Sequence, residues 1–194
     1  MKRWTALAGL LFAAVTIWSV QAVGQGGGWV TLFDGKNLDN WDKIGDANWR
    51  IEDGAAVADR GNGFLVSKGT YGDYQLRAEF WVGDDANSGI FIRCTDPKEV
   101  GTKTAYEVNI WDQRPEKDYA SGAIVGIAKV DPMPTTVGKW NTYEITVKGD
   151  TFVVVLNGQK TVDGATDSRH PTGRVALQYG QGVVKFRKVD LKPM

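Results

Sequence analysis

Hydrophobic positions along the chain fall in short alternating runs. The clearest is Tyr74–Val82, where Tyr74, Leu76, Ala78, Phe80 and Val82 point one way and Gln75, Arg77, Glu79 and Trp81 the other. A two-residue period of this kind is that of a strand with one face in a core. The same period puts Ile90 and Ile92 on the inner face of 88–94, with Phe91 and Arg93 outside. It places Tyr106, Val108 and Ile110 inside 106–111, with Glu107, Asn109 and Trp111 outside. Tyr143, Ile145 and Val147 line the inner face of 142–148, and further strands are predicted at 152–156, 175–179 and 183–191. Asn157-Gly158 is a hairpin signal, because a type I′ turn needs positive φ at both central residues. Gly149-Asp150 and Gly180-Gln181-Gly182 mark two more reversals. No stretch sustains a helical period, and turn residues recur about every 8–12 positions, the texture of an all-β sandwich or barrel.

The first segment has a different pattern. Residues 1–22 carry Lys2 and Arg3, then an apolar run from Ala6 to Trp18, then Val20-Gln21-Ala22. This is the layout of a secretory signal peptide cleaved after Ala22. The apolar run is shorter than the ~20 residues that span a bilayer, so no membrane partner is expected once it is removed, and the location read from it is secreted or periplasmic. Residues 23–28 read as a flexible Gly-rich leader, and 29–194 as one domain.

Composition narrows the chemistry. Lys+Arg and Asp+Glu balance at 23 each, which leaves no electrostatic footprint for a nucleic-acid partner. One His and one Cys exclude a Cys/His zinc site and an internal disulfide. Cys94 is expected to be a small buried hydrophobe. His170, in Asp167-Ser168-Arg169-His170-Pro171, reads as a surface loop residue. Asp34-Gly35, Asp53-Gly54 and Asp163-Gly164 read as turns. The sequence demands no cofactor, leaves a divalent metal possible, and does not give the oligomeric state.

Large polar and aromatic side chains on the outer face are the candidate chemistry. Taken as neighbouring strands, 74–82, 88–94 and 106–111 present Glu79, Trp81, Arg93, Glu107, Asn109 and Trp111 together, which suits a sugar: indole rings stack on pyranose C–H faces while carboxylates, amides and guanidinium grip hydroxyls. The alternative is an ordinary outer face with Arg–Glu cross-strand pairs. A β-bulge near Ile110-Trp111 would bring Asp112 back to the side of Glu107, giving the paired carboxyls of a sandwich glycosidase. Alternatively Asp112 caps the turn at Asp112-Gln113-Arg114-Pro115.

These residues fall in motifs that resemble a family. The run 29–41 (WVTLFDGKNLDNW), Trp49-Arg50-Ile51-Glu52-Asp53-Gly54, Asn87-Ser88-Gly89-Ile90-Phe91-Ile92-Arg93 and Tyr106-Glu107-Val108-Asn109-Ile110-Trp111-Asp112 resemble its signatures. So do Lys139-Trp140-Asn141-Thr142-Tyr143, Leu156-Asn157-Gly158, Leu177-Gln178 and Phe186-Arg187-Lys188-Val189. The family is that of the 3-keto-disaccharide hydrolases, formerly a domain of unknown function. The resemblance implies a concanavalin A-like jelly-roll β-sandwich of two antiparallel sheets and action on glycosides carrying a ketone at C3. By matched position it implies Glu107 as base, Arg93 as oxyanion stabiliser, and Asp112 as a second acid/base or metal ligand. Asn109 and Gln178 would hold hydroxyls and Trp111 would offer a stacking ring. Asn109 stands where the family has Gln, and Lys188 where it has Asn. A non-catalytic carbohydrate-binding module of the same fold is the competing expectation.

Overall fold

The computed structural model describes residues 28–194; the predicted signal peptide and all of the leader except Gly28 lie outside the described residues. Thirteen strands follow in order: β1 (Val30–Phe33), β2 (Trp41–Gly45), β3 (Arg50–Glu52), β4 (Ala55–Ala58), β5 (Gly63–Ser67), β6 (Tyr74–Val82) and β7 (Ser88–Cys94). Then come β8 (Tyr106–Ile110), β9 (Trp140–Lys148), β10 (Thr151–Leu156), β11 (Gln159–Thr166), β12 (Arg174–Tyr179) and β13 (Val184–Pro193). The larger sheet runs β11-β10-β9-β6-β13-β4-β3, with β1 also on β13, and the smaller runs β2-β5-β12-β7-β8. All pairings within the sheets are antiparallel, and the two sheets form a jelly-roll sandwich.

Alternation builds the core as expected. Tyr74, Leu76, Ala78, Phe80 and Val82 of β6 face Ile90, Ile92, Val108, Ile110 and Leu177 of the smaller sheet in one buried cluster. Phe80 stacks on Tyr143 with ring centroids 5.1 Å apart. The β10–β11 hairpin has Asn157 and Gly158 at φ 53° and 79°, both positive as the turn requires.

Two local details depart from simple alternation. Asp163-Gly164 lies inside β11, not between strands: Phe152 pairs with Ala165 and Val153 with Asp163, so Gly164 is a bulge residue at φ 74°. At the end of β7, Arg93 adopts φ 52°, and the register against β12 shifts between Arg174 and Ala176. The kink turns Arg93 inward and Cys94 outward, the reverse of strict alternation. Gly173 permits it, because a Cβ there would stand 2.2 Å from the Arg93 carbonyl carbon.

The smaller sheet is covered on both faces where it meets β7 and β8, whose residues are all buried. Outside, Val66, Phe91, Cys94, Ala105 and Ala176 form a second apolar cluster flanked by Phe64 and Val100. Cys94 is thus buried, but in this outer cluster. The free edge of β8 is closed by the segment after it: Val125 N–H donates to the Glu107 carbonyl and Asn109 N–H to that of Ala123. An edge closed in this way offers no template for another strand.

Candidate active site

The register of the smaller sheet brings together four outward-facing side chains. Phe91 lies opposite Glu107 and Gly89 opposite Asn109, while Gln178 on β12 lies opposite Phe64 on β5. Gly89 forms the floor between them. A Cβ built on it would stand 3.2 Å from Glu107 Cγ, 3.3 Å from Glu107 Oε1 and 3.4 Å from Gln178 Oε1.

Glu107 is the unusual group. It is 9% exposed, and among the described residues its carboxylate has neither hydrogen bond nor ion pair. Burial pushes its acidity up to about 7, against the lowering pull of the Arg114 charge. A carboxyl so poised exchanges its proton near neutral pH, the condition for a general base. Asn109 Oδ1 and Gln178 Oε1 are also buried without a partner, whereas Asn109 Nδ2 donates to the Tyr119 carbonyl.

Arg114 belongs to this group although sequence reasoning took its segment only as a turn. Its guanidinium lies 5.6 Å over the Trp111 ring, its Nε is buried without a partner, and only an outlying ion pair to Glu116 at 3.6 Å engages it. The available signal was the aromatic–cation spacing Trp111…Arg114 across the turn, which places a cation over the ring at the end of β8.

Other expected site residues sit elsewhere. Glu79 and Trp81 are on β6, in the larger sheet, so the sandwich separates them from Glu107. There Glu79 pairs with Arg187, and Lys185 stands 5.1 Å over the Trp81 ring. The three strands taken as neighbours in sequence are divided between two sheets because 83–87 crosses from one to the other. Arg93 is 1% exposed. Its guanidinium donates to the carbonyls of Gly72, Gly149 and His170 and pairs with Asp73 at 2.9 Å. It is a tie between loops and cannot meet a substrate on the outer face.

Asp112 is not returned to Glu107 by a bulge, since β7–β8 pairing stays in register from Ser88↔Ile110 to Ile92↔Tyr106. Its Oδ2 accepts from Thr136 N–H at 2.7 Å and its Oδ1 from Thr136 Oγ1 at 2.8 Å. Neither alternative is observed: the carboxylate caps no amide of the 112–115 turn and instead ties it to the loop at Thr136. His170 is buried rather than on the surface. Its ring meets Tyr106 edge-on at 5.0 Å, and burial lowers its basicity.

Among the described residues no group of three or more His, Cys, Asp or Glu side chains is placed to hold a metal ion. With both Asp112 oxygens committed to Thr136, the donor set around Glu107 does not fit one. A cavity of about 280 Å³ lies at the other end of β7, between Thr70, Cys94 and Arg174, and includes none of the site residues. No helix among the described residues is long and apolar enough to cross a membrane.

The sandwich is shared by proteins proposed to be glycosyl hydrolases and by a carbohydrate binding module. A family model described as the 3-keto-alpha-glucoside-1,2-lyase-like domain matches residues 28–192, and the chain belongs to this family. Two crystal structures from Parabacteroides distasonis, of proteins proposed to be glycosyl hydrolases, are similar in fold. One has TM-score 0.76 and 20% identity, covering 86% of this chain and 94% of that one. The other has TM-score 0.71 and 24% identity, covering 87% and 100%. The carbohydrate binding module CBM66 from Bacillus subtilis superposes with TM-score 0.61 at 19% identity, covering 79% and 95%. No curated protein matches the chain.

Proposed function

We propose that this protein cleaves the glycosidic bond of 3-keto-glycosides by elimination across C1 and C2, with Glu107 as the base. The observation that carries the reading is a buried carboxyl with no hydrogen bond or ion pair among the described residues, pushed up to about 7 by burial, with the Arg114 charge acting on it. Hydrolysis by a carboxylate pair needs a second carboxyl, and Asp112 is held by Thr136. Elimination needs one base and one donor. A ketone at C3 acidifies the C2 proton; Glu107 takes that proton, and the electron pair moves onto the ketone oxygen as an enolate. Arg114 faces the developing charge in place of Arg93. Collapse of the enolate re-forms the C3 ketone, forms the C1=C2 bond and breaks C1–O, and the departing oxygen takes back the proton that Glu107 abstracted. Water adding across C1=C2 completes net hydrolysis. The family's description as 1,2-lyase-like supports this bond order. The signal-peptide pattern of 1–22 supports action outside the cytoplasm.

The test is incubation of the mature chain with 3-keto-trehalose and a 3-keto-glucoside, unlabelled and deuterated at C2. Release of the aglycone with a 2-hydroxy-3-ketoglycal or free 3-keto sugar, slowed by deuterium, is expected. Retention of both substrates with no C2 exchange in D₂O would remove the reading. A second reading, a binding module without catalysis, is favoured by the likeness to CBM66; calorimetric binding of unoxidised sugars without C2 exchange would establish it.

A further inference from the structure

Resting on the reading of Glu107 as the base and Arg114 as the donor, we infer that Thr136 is a positioning residue of the site. Through Asp112 it holds the 111–114 turn, and with that turn the Arg114 guanidinium, at the end of β8, the strand that carries Glu107. The need for such a hold comes from Arg114 itself. Its guanidinium is part-exposed, lies 5.6 Å over the Trp111 ring and reaches the exposed Glu116 carboxylate at 3.6 Å. Both contacts are local and travel with the turn. So does the bond that closes it, from Arg114 N–H to the Trp111 carbonyl at 3.2 Å. The Asp112 carboxylate is what reaches a distant segment: Oδ2 accepts from Thr136 N–H and Oδ1 from Thr136 Oγ1, 24 positions along the chain.

Thr136 is a firm anchor. It is fully buried, and its carbonyl accepts from Asn141 Nδ2 at 2.8 Å. The same nitrogen donates to the Lys139 carbonyl, which leaves Asn141 Oδ1 to accept from Asn157 Nδ2 at 2.8 Å. Next to Thr136, Val137 bridges Val82 of β6, and Gly138 N–H donates to the Val82 carbonyl. The clamp therefore rests on β6, β9 and the β10–β11 hairpin of the larger sheet, while the arginine it places stands at the end of a strand of the smaller. A carboxylate that takes the N–H and the hydroxyl of one β-branched residue has both donors on a stiff frame, so the pair sets direction as well as distance. Without the hydroxyl, one bond remains and the turn can pivot on it. Arg114 would then drift, and its pull on Glu107 would weaken with distance; among the described residues it is the one charge acting on Glu107.

The experiment compares Thr136→Val and Thr136→Ser with the parent protein and with Arg114→Met. It reads kcat and KM on a 3-keto-glucoside across pH and, without substrate, the Glu107 titration by carboxyl-carbon NMR. Thr136→Val keeps the shape and the backbone N–H. It should lower kcat about tenfold with little change in KM, and should move the kcat/KM profile and the Glu107 midpoint to higher pH, the direction expected for Arg114→Met. Thr136→Ser should restore all three readings. In the Arg114→Met background Thr136→Val should add nothing. Thr136→Ala, free of the extra methyl beside Asp112, is read in the same way should the valine variant not fold. A folded variant with the parent's pH profile and Glu107 midpoint, or one whose loss adds in full to that of Arg114→Met, would overturn the inference. Midpoints raised in both Thr136→Val and Arg114→Met, with no turnover by the parent protein, would keep the clamp and remove the catalytic reading. Unmoved midpoints with no turnover would remove both.

Discussion

The two outer faces of the sandwich differ in how their polar groups are partnered. On the larger sheet the central Arg, Glu and Trp side chains are mated: Arg77 lies 5.0 Å over Trp29 and pairs with Glu144 at 3.3 Å. Arg187 lies 4.2 Å over Trp140 and pairs with Glu79. These side chains are largely solvated, and such pairs contribute about 0–1 kcal/mol each. On the smaller sheet the polar groups are buried and unmatched: Glu107, Asn109 Oδ1, Gln178 Oε1 and Arg114 Nε. A Trp, an Arg and a Glu on one strand therefore do not make a sugar floor by their presence. What separates the two regions is whether the groups already satisfy one another, and the cluster around Glu107 leaves a demand that a ligand could fill.

That contrast breaks most sharply at Glu107. Glu107→Gln should reduce kcat by about 10³-fold on a 3-keto-glucoside, measured beside far-UV circular dichroism. The same variant should gain stability at alkaline pH. Because the folded acidity of Glu107, about 7, lies above its ordinary 4.5, the folded state holds the proton more tightly between those values. Stability therefore falls as pH rises through the window, and the full cost is present above it. Relief of about 3 kcal/mol near pH 8, and none near pH 4, is expected from thermal melts. A melt lowered equally at both would mean that Glu107 is a structural residue.

Arg93→Met should come next in size. It removes the donor from three carbonyls and from Asp73, and a loss of about 3 kcal/mol is expected from denaturant unfolding. The folded fraction should keep its kcat/KM, and a selective loss of kcat would restore Arg93 to the chemistry. Arg114→Met should cost about 10²-fold in kcat, as the lost donor to the enolate, and should also move the pH profile. The kcat/KM of the parent protein should climb about tenfold per pH unit below 7 and level off above it. Arg114→Met removes a charge that lowers the Glu107 value, so its profile should shift to higher pH. The smallest effect is expected on the larger sheet, where Glu79→Gln should change stability by less than about 0.5 kcal/mol and kcat/KM not at all. Any kinetic effect there would dissolve the distinction between the faces.

Sequence carried the sandwich well because its signal is local. The inward positions of β6, β8 and β9 follow a two-residue period, and Asn157-Gly158 states its own turn geometry. Glu107 and Asn109 were legible for the same reason, since alternation places them outward, whereas Gln178 came from the family resemblance. Which sheet each strand joins is not a local property, and that is where Glu79 and Trp81 were misplaced. The bulge that inverts Arg93 and Cys94 depends on Gly173 just before β12, far away in the chain, and no period in 88–94 announces it. Asp112 went to Thr136 through a loop contact that spacing does not encode.

The Arg93 tie also bears on how the chain reaches its native state. Its guanidinium draws on Gly72, Asp73, Gly149 and His170, segments that converge only after both sheets have closed. Contacts of such sequence separation form late, after the loop-closure entropy has been met. The tie should therefore be absent from the folding transition state, and weakening it should hasten unfolding while leaving the folding rate nearly unchanged. This one buried arginine acts as a latch on lifetime, holding the finished sandwich shut.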